Sequence, residues 1–195
     1  MKLITRVSIL FGFLFLIGCA HPITLSPDPA SVDRKDIGTK IAKNVGYYIS
    51  AEDRVKEVTT PGGGGDKVSY SPYRDLEPGL FKVLSNSFKE VHVLKAPDDK
   101  STIASKNIAF VIIPKIETTS SSSSAFTWPP TEFTVSLDCR ALSPTGQVVW
   151  QTTAKGVGKA EFSEFKSDFS LSGRRASQNA LIELQKQIQA SPLAK

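Results

Sequence analysis

Apolar residues along this chain switch between two periods, and the switches mark its elements. Val45, Tyr47 and Ile49 alternate with more polar neighbours, which predicts a strand over Lys43 to Ser50. Leu76, Leu80, Val83, Leu84 and Phe88 recur every three or four residues, so a helix is expected over Pro72 to Lys89. Ser71 would cap it and Pro72 would take its first helical position, with Pro78 as an alternative start. A short strand over Val91 to Lys95 follows, then a turn at Pro97 to Lys100. Ile108 to Glu117 is apolar on both faces, the mark of a central, doubly covered strand. Thr118 to Pro130 reads as a long loop. Phe133, Val135, Leu137, Cys139 and Ala141 then alternate in a strand over Thr131 to Leu142. Ser143-Pro144-Thr145-Gly146 turns the chain into a returning strand over Gln147 to Val157. A last helix, Ser172 to Ala190, carries Ala176, Ala180, Leu181, Leu184 and Ile188 on one stripe. Two amphipathic helices and one sheet predict an α+β two-layer sandwich, with a mostly antiparallel sheet of about five strands.

Two stretches fall outside these periods. Residues 20 to about 39 are broken by Pro22, Pro27 and Pro29 and hold no sustained apolar pattern, so they read as a flexible tether. About twenty flexible residues give a mean reach near 25 Å. Pro61 is followed by Gly62 to Gly65 and then Asp66-Lys67. Four glycines pack no side chain and lose the most entropy on ordering, which predicts a mobile loop. The P-loop spacing, Gly-x4-Gly-Lys-Ser/Thr, is not met here.

Length and composition fit one ordinary domain plus tails: 195 residues, 40% hydrophobic and 22% charged. The formal net charge is +5, and Lys2 and Arg6 supply part of it from the extreme N-terminus. A balance that small does not argue for nucleic acid. The histidines are His21 and His92, and neither has zinc-ligand spacing to a partner. No serine sits in a Gly-x-Ser-x-Gly elbow. No catalytic or metal-binding set is therefore assigned, and no cofactor is expected. Cys139 lies in the alternating strand and reads as a small buried hydrophobe.

The N-terminus carries the most specific motif. Lys2 and Arg6 precede an apolar run from about Val7 to Ile17, which falls short of the roughly 20 residues needed to cross a bilayer. Leu16-Ile17-Gly18-Cys19 ends that run and resembles a bacterial lipobox. The resemblance implies cleavage between Gly18 and Cys19, a diacylglyceryl group on the Cys19 thiol and an acyl chain on its new amine. It divides the chain into a signal peptide over 1–18, a lipidated Cys19 with its tether over 19–40, and a single α+β periplasmic domain over 41–195. Each buried methylene contributes about 0.8 kcal/mol, so two or three acyl chains anchor firmly where one does not. Ala20, in place of the Asp that retains enteric lipoproteins in the inner membrane, points to the periplasmic face of the outer membrane.

Two further features are candidates for partner contact. Phe126 and Trp128 lie between a serine run and Pro129-Pro130. Trp128 either covers one end of the sheet or offers an exposed aromatic anchor to a partner. Arg174 and Arg175 open the last helix, where their charge opposes the helix dipole. They form either a solvated face or a contact for an acidic partner or lipid head group.

The lipobox, the Tyr47-Tyr48-Ile49 strand, the helix ending at Leu84 to Val91, the Pro144-to-Trp150 hairpin and the closing helix together resemble small Gram-negative envelope lipoproteins of the YajG-like or TolB N-terminal-like kind. That resemblance implies a non-enzymatic, membrane-anchored binding or assembly factor for an envelope complex, with an envelope protein as partner. The alternative is a module that binds lipid or glycan between sheet and helices. No catalytic residue transfers.

Overall fold

The computed structural model describes residues 20–32, 38–123, 127–165 and 167–194. Among the described residues there are eight strands: β1 (His21–Pro22), β2 (Ile41–Tyr47), β3 (Val58–Pro61), β4 (Lys67–Tyr70), β5 (Phe88–Val93), β6 (Ile108–Ser121), β7 (Glu132–Leu142) and β8 (Val148–Lys159). The helices are α1 (Pro29–Val32), α2 (Ala51–Val55), α3 (Pro72–Ser87), α4 (Lys100–Ser105), α5 (Phe162–Phe165) and α6 (Leu171–Gln189), with a 3-10 turn at Pro192–Ala194. Five strands form the main sheet in the order β5-β2-β6-β7-β8, and β1-β4-β3 form a smaller one. The two long helices α3 and α6 pack against the main sheet.

The α+β two-layer class expected from the sequence is what the chain adopts. The strand directions need correction, because the main sheet is mixed. β2 runs parallel to both β5 and β6, while β6-β7 and β7-β8 are antiparallel. The physical reason lies in the connections. β2 reaches its neighbour β5 by way of α3, and β5 reaches β6 by way of α4, and such crossovers join parallel strands. The turn expected at Pro97 to Lys100 is the entry to α4, where the Asp99 side chain accepts the Thr102 amide at 3.1 Å.

The expectation for β6 splits along its length. Ile112 and Ile116 join the main core. Val111, with Leu94, Ile103 and Ile108, forms a second cluster that also gathers Ile113. Ile103 comes from α4, so this helix covers the second face of β6 over its first half. Beyond it Lys115, Glu117 and Thr119 are exposed. The strand also runs to Ser121, which takes its first serines out of the predicted loop.

α3 begins at Pro72 and continues through Pro78. Proline inside a helix removes a hydrogen bond. Here the next residue, Gly79, lets α6 approach: a Cβ at Gly79 would lie 2.5 Å from Leu181 Cδ1. A tighter seam joins β8 to α6. A Cβ on Gly156 would lie 2.1 Å from the Ala176 carbonyl oxygen, and one on Gly158 would lie 2.0 Å from that of Ser172. Glycines on the strand and Ala176, Ala180 and Ser172 on the helix let backbone meet backbone, all of them buried.

Residues 20–32 correct the tether expected over 19–40. β1 pairs in parallel with β4, His21 opposite Val68 and Pro22 opposite Ser69, and the Ile23 amide donates to the Ser69 carbonyl at 2.9 Å. Leu25 and Val32 are fully buried in the main core. Burying a side chain of that size contributes about 1.5–3 kcal/mol, enough to hold the strap in place where prolines alone would leave it free.

Candidate functional site

Of the residues singled out in the sequence, Gly18, Cys19 and Phe126 lie outside the described residues, as does the whole signal segment 1–18. Trp128, Arg174 and Arg175 are described, and the fold brings them to one end of the domain.

That end is built from four pieces of chain. The β3-β4 hairpin supplies the glycine turn, which reverses through Gly64 and Gly65 at φ +64° and +87°. Left-handed backbone of this kind suits glycine, which lacks the Cβ that would clash. The turn is held in place: the Gly63 amide donates to the Trp128 carbonyl at 2.8 Å, and a Cβ on Gly62 would lie 2.2 Å from that same oxygen. The β6-β7 connection supplies Trp128, and the strap supplies His21. The two rings stack with centroids 4.3 Å apart and planes 22° apart. Phe169, just before α6, closes the cluster at 4.7 Å from Trp128 and is 47% exposed. Trp128 is half-buried and packs against the main core, so it covers one end of the sheet while its neighbour Phe169 stays open to solvent.

The strap is locked to the helices beside this cluster. Asp75, in the first turn of α3, is 6% exposed, and its Oδ2 accepts the Leu25 amide at 2.9 Å. The Ser26 hydroxyl donates to the Asp75 carbonyl at 3.0 Å. Ser170, the N-cap residue of α6, accepts the Thr24 amide at 3.1 Å instead of capping its own helix. A carboxylate near a helix N-terminus is electrostatically favoured, and the buried amide it satisfies belongs to a segment distant in sequence.

The two arginines are occupied within the chain. Arg174 pairs with Asp168. Arg175 grips the Glu164 carboxylate with both terminal nitrogens, at 2.7 and 3.1 Å, and also donates to the Lys159 carbonyl at 2.7 Å. The guanidinium, helped by the Glu161 amide, holds the Glu164 carboxyl down at about 2. This pair ties α5 and the end of β8 to the start of α6.

Other polar groups also serve the fold. Arg54 binds Glu77 with two nitrogens at 2.8 and 2.9 Å, and Tyr47 donates to the same carboxylate at 3.0 Å. Arg54 first, and Tyr47 after it, lower the Glu77 pKa against the opposing effect of burial. Burial pushes the Cys139 thiol up to about 12. His92, on edge strand β5, places Nε2 3.3 Å from Glu90 Oε2. Among the described residues no group of three or more His, Cys, Asp or Glu could hold a metal, and no helix is long and apolar enough to cross a membrane. Two clefts, of about 420 and 310 Å³, lie at the glycine hairpin and beside Ser121 and Lys159, outside the sheet–helix interface.

The sequence reading missed His21 and Phe169. Their signal was weak: an isolated imidazole and an isolated Phe become partners of Trp128 only through three-dimensional closure.

No protein-family model and no curated protein matches the sequence. Among solved structures the chain is similar to the PelC dodecamer from Paraburkholderia phytofirmans, with 15% identity and a TM-score of 0.44 over 75% of this chain and 90% of that one. A PelC variant dodecamer from the same species gives 14% identity and a TM-score of 0.38, over 73% of this chain and 92% of that one. A candidate lipoprotein from Caulobacter crescentus CB15 gives 12% identity and a TM-score of 0.37, over 83% of this chain and 92% of that one. At these identities and TM-scores the likenesses assign no function.

Proposed function

We propose that this chain is a lipoprotein of the cell envelope, anchored through Cys19 to the periplasmic face of the outer membrane, where it acts without catalysis as a binding or assembly factor for an envelope complex. The observation that carries the reading is the run from Lys2 through the apolar stretch to Leu16-Ile17-Gly18-Cys19, a basic end, a short apolar run and a lipid-accepting cysteine in the required order. The chemistry of the anchor is bond formation at the Cys19 sulfur and, after cleavage, at its amine, and other enzymes perform both. The domain contributes a rigid platform. The Arg54–Glu77 and Arg175–Glu164 pairs and the Tyr47 hydroxyl tie its elements together, and its surface shape and the Trp128 end are left for contact.

The test is labelling with palmitate in cells, followed by membrane fractionation and chemical crosslinking. Label in the outer-membrane fraction that disappears in Cys19→Ala, with one reproducible envelope protein crosslinked, is the expected result. Label retained in Cys19→Ala would overturn the anchor. A bound lipid or glycan found by native mass spectrometry, with no crosslinked protein, would favour the ligand-binding alternative.

A further inference from the structure

We infer that the Trp128 end of the domain rests in the head-group layer of the membrane that holds the anchor. The inference relies on the lipidation of Cys19 proposed above and goes beyond it. A flexible tether would have let the domain stand off the bilayer in any orientation. The strap removes that freedom. Backbone pairing begins at His21, opposite Val68, and the Ile23 amide continues it. One residue, Ala20, lies between Cys19 and His21, so their Cα atoms are at most about 7 Å apart. The lipid glycerol on Cys19 can therefore lie no more than about 15 Å from the ring that stacks on Trp128.

What lies there suits an interface between water and hydrocarbon. Trp128 is half-buried and contacts both the His21 ring and the Phe169 ring, the latter 47% exposed. Trp favours the head-group level of bilayers because its ring is apolar and its N–H is polar. Beside the stack, Gly62 to Gly65 present backbone with no side chain, so the turn itself does not hold the cluster away from the surface. Of the charges beside the stack, Asp66 lies 3.8 Å from His21 and Arg174 is paired with Asp168, while Lys67 faces solvent. A patch this poor in net charge is held by the anchor and by aromatic contact and requires no anionic lipid.

The chain has two tryptophans, and Trp150 lies on β8, packed against the main core. Trp150→Phe therefore isolates Trp128. The full lipidated chain carrying this change is reconstituted in phosphatidylethanolamine–phosphatidylglycerol vesicles whose acyl chains are brominated near the glycerol or near the terminal methyl. Trp128 is expected to lose about half its emission to the shallow bromines and less to the deep ones, as a ring at head-group depth would. Unchanged emission in both vesicles overturns the inference, whether Trp128 remains open to acrylamide or is shielded from it by a protein. The mass of the N-terminal peptide from the same sample keeps the two readings apart. Lipid on Cys19 with unquenched Trp128 defeats the orientation alone, and an unmodified Cys19 defeats the anchor. If Trp150→Phe does not fold, subtracting the emission of Trp128→Phe from that of the unsubstituted chain isolates the same signal.

Discussion

The seam between β8 and α6 and the strap that runs from His21 to Val32 solve the same problem, holding a long element against a sheet, by opposite means. At the seam the contact is backbone on backbone, because Gly156 and Gly158 carry no side chain and leave room for Ala176, Ala180 and Ser172. The close approach itself rests on shape, with Arg175 adding a charged hydrogen bond to the Lys159 carbonyl at the end of the strand. The strap is held at points: a short parallel pairing, two buried apolar side chains, one buried carboxylate and one ring stack. Point attachment is weaker per residue, and each point can be removed singly. The seam fixes α6 on β8, and the strap fixes the chain from His21 onward beside the Trp128 end of the domain.

The contrast is broken most severely at the seam. Gly156→Val puts a branched side chain where even a Cβ lies 2.1 Å from helix backbone, so α6 must move away. A loss of about 3 kcal/mol or more is expected, read as a lowered urea midpoint or as insoluble protein. Next comes the strap. Asp75→Ala leaves the buried Leu25 amide without an acceptor. The expected cost is about 1–3 kcal/mol, together with rapid proteolysis confined to residues 20–32 while the rest of the domain stays resistant. Trp128→Ala removes two ring contacts at about 0.5–1.5 kcal/mol each, and a differential scan would show a small drop in melting temperature.

Two smaller effects sharpen the same division. The Glu77 pKa is lowered in the folded chain, so the unfolded state binds the proton more readily at acid pH. The stabilisation from Arg54 and Tyr47 is then full above the ordinary Glu range, near 4.3, and is lost as pH falls through the lower folded value. Glu77→Gln should flatten that acid limb of the stability curve and leave proteolysis of the strap unchanged. Cys139 is fully buried with its thiol pushed up to about 12, so iodoacetamide at mild pH should reach it only after unfolding. In Gly156→Val it should become reactive.

The large elements were legible because their signals are local. β7 and α6 each repeat an apolar period over ten or more residues, and β8 follows from the turn at Ser143 to Gly146, which needs only its own four. β3 and β4 were not legible: Val58 to Pro61 and Lys67 to Tyr70 are too short for a period to show, and the glycines between them masked a hairpin. The strap was hidden for a related reason. Leu25 and Val32 are lone apolar residues among prolines and serines, and their burial depends on Asp75 and on α3, some fifty residues away. Direction within the sheet was also missed, because alternation in β2 is the same whether its neighbours run parallel or antiparallel. At the candidate site, sequence singled out Trp128 by its odd surroundings, and the arginines by their doublet. It could not show that Asp168 and Glu164 neutralise those arginines, or that His21 would stack on Trp128.

The folded part of the chain begins at His21, two positions after Cys19. Hydrogen exchange resolved to single amides tests it directly, in the chain without membranes. Ile23 and Leu25, bonded to the Ser69 carbonyl and to Asp75, should exchange orders of magnitude more slowly than a free peptide, at rates that rise together in Asp75→Ala. Exchange of both amides at the free-peptide rate would mean that residues 20–32 are a tether after all.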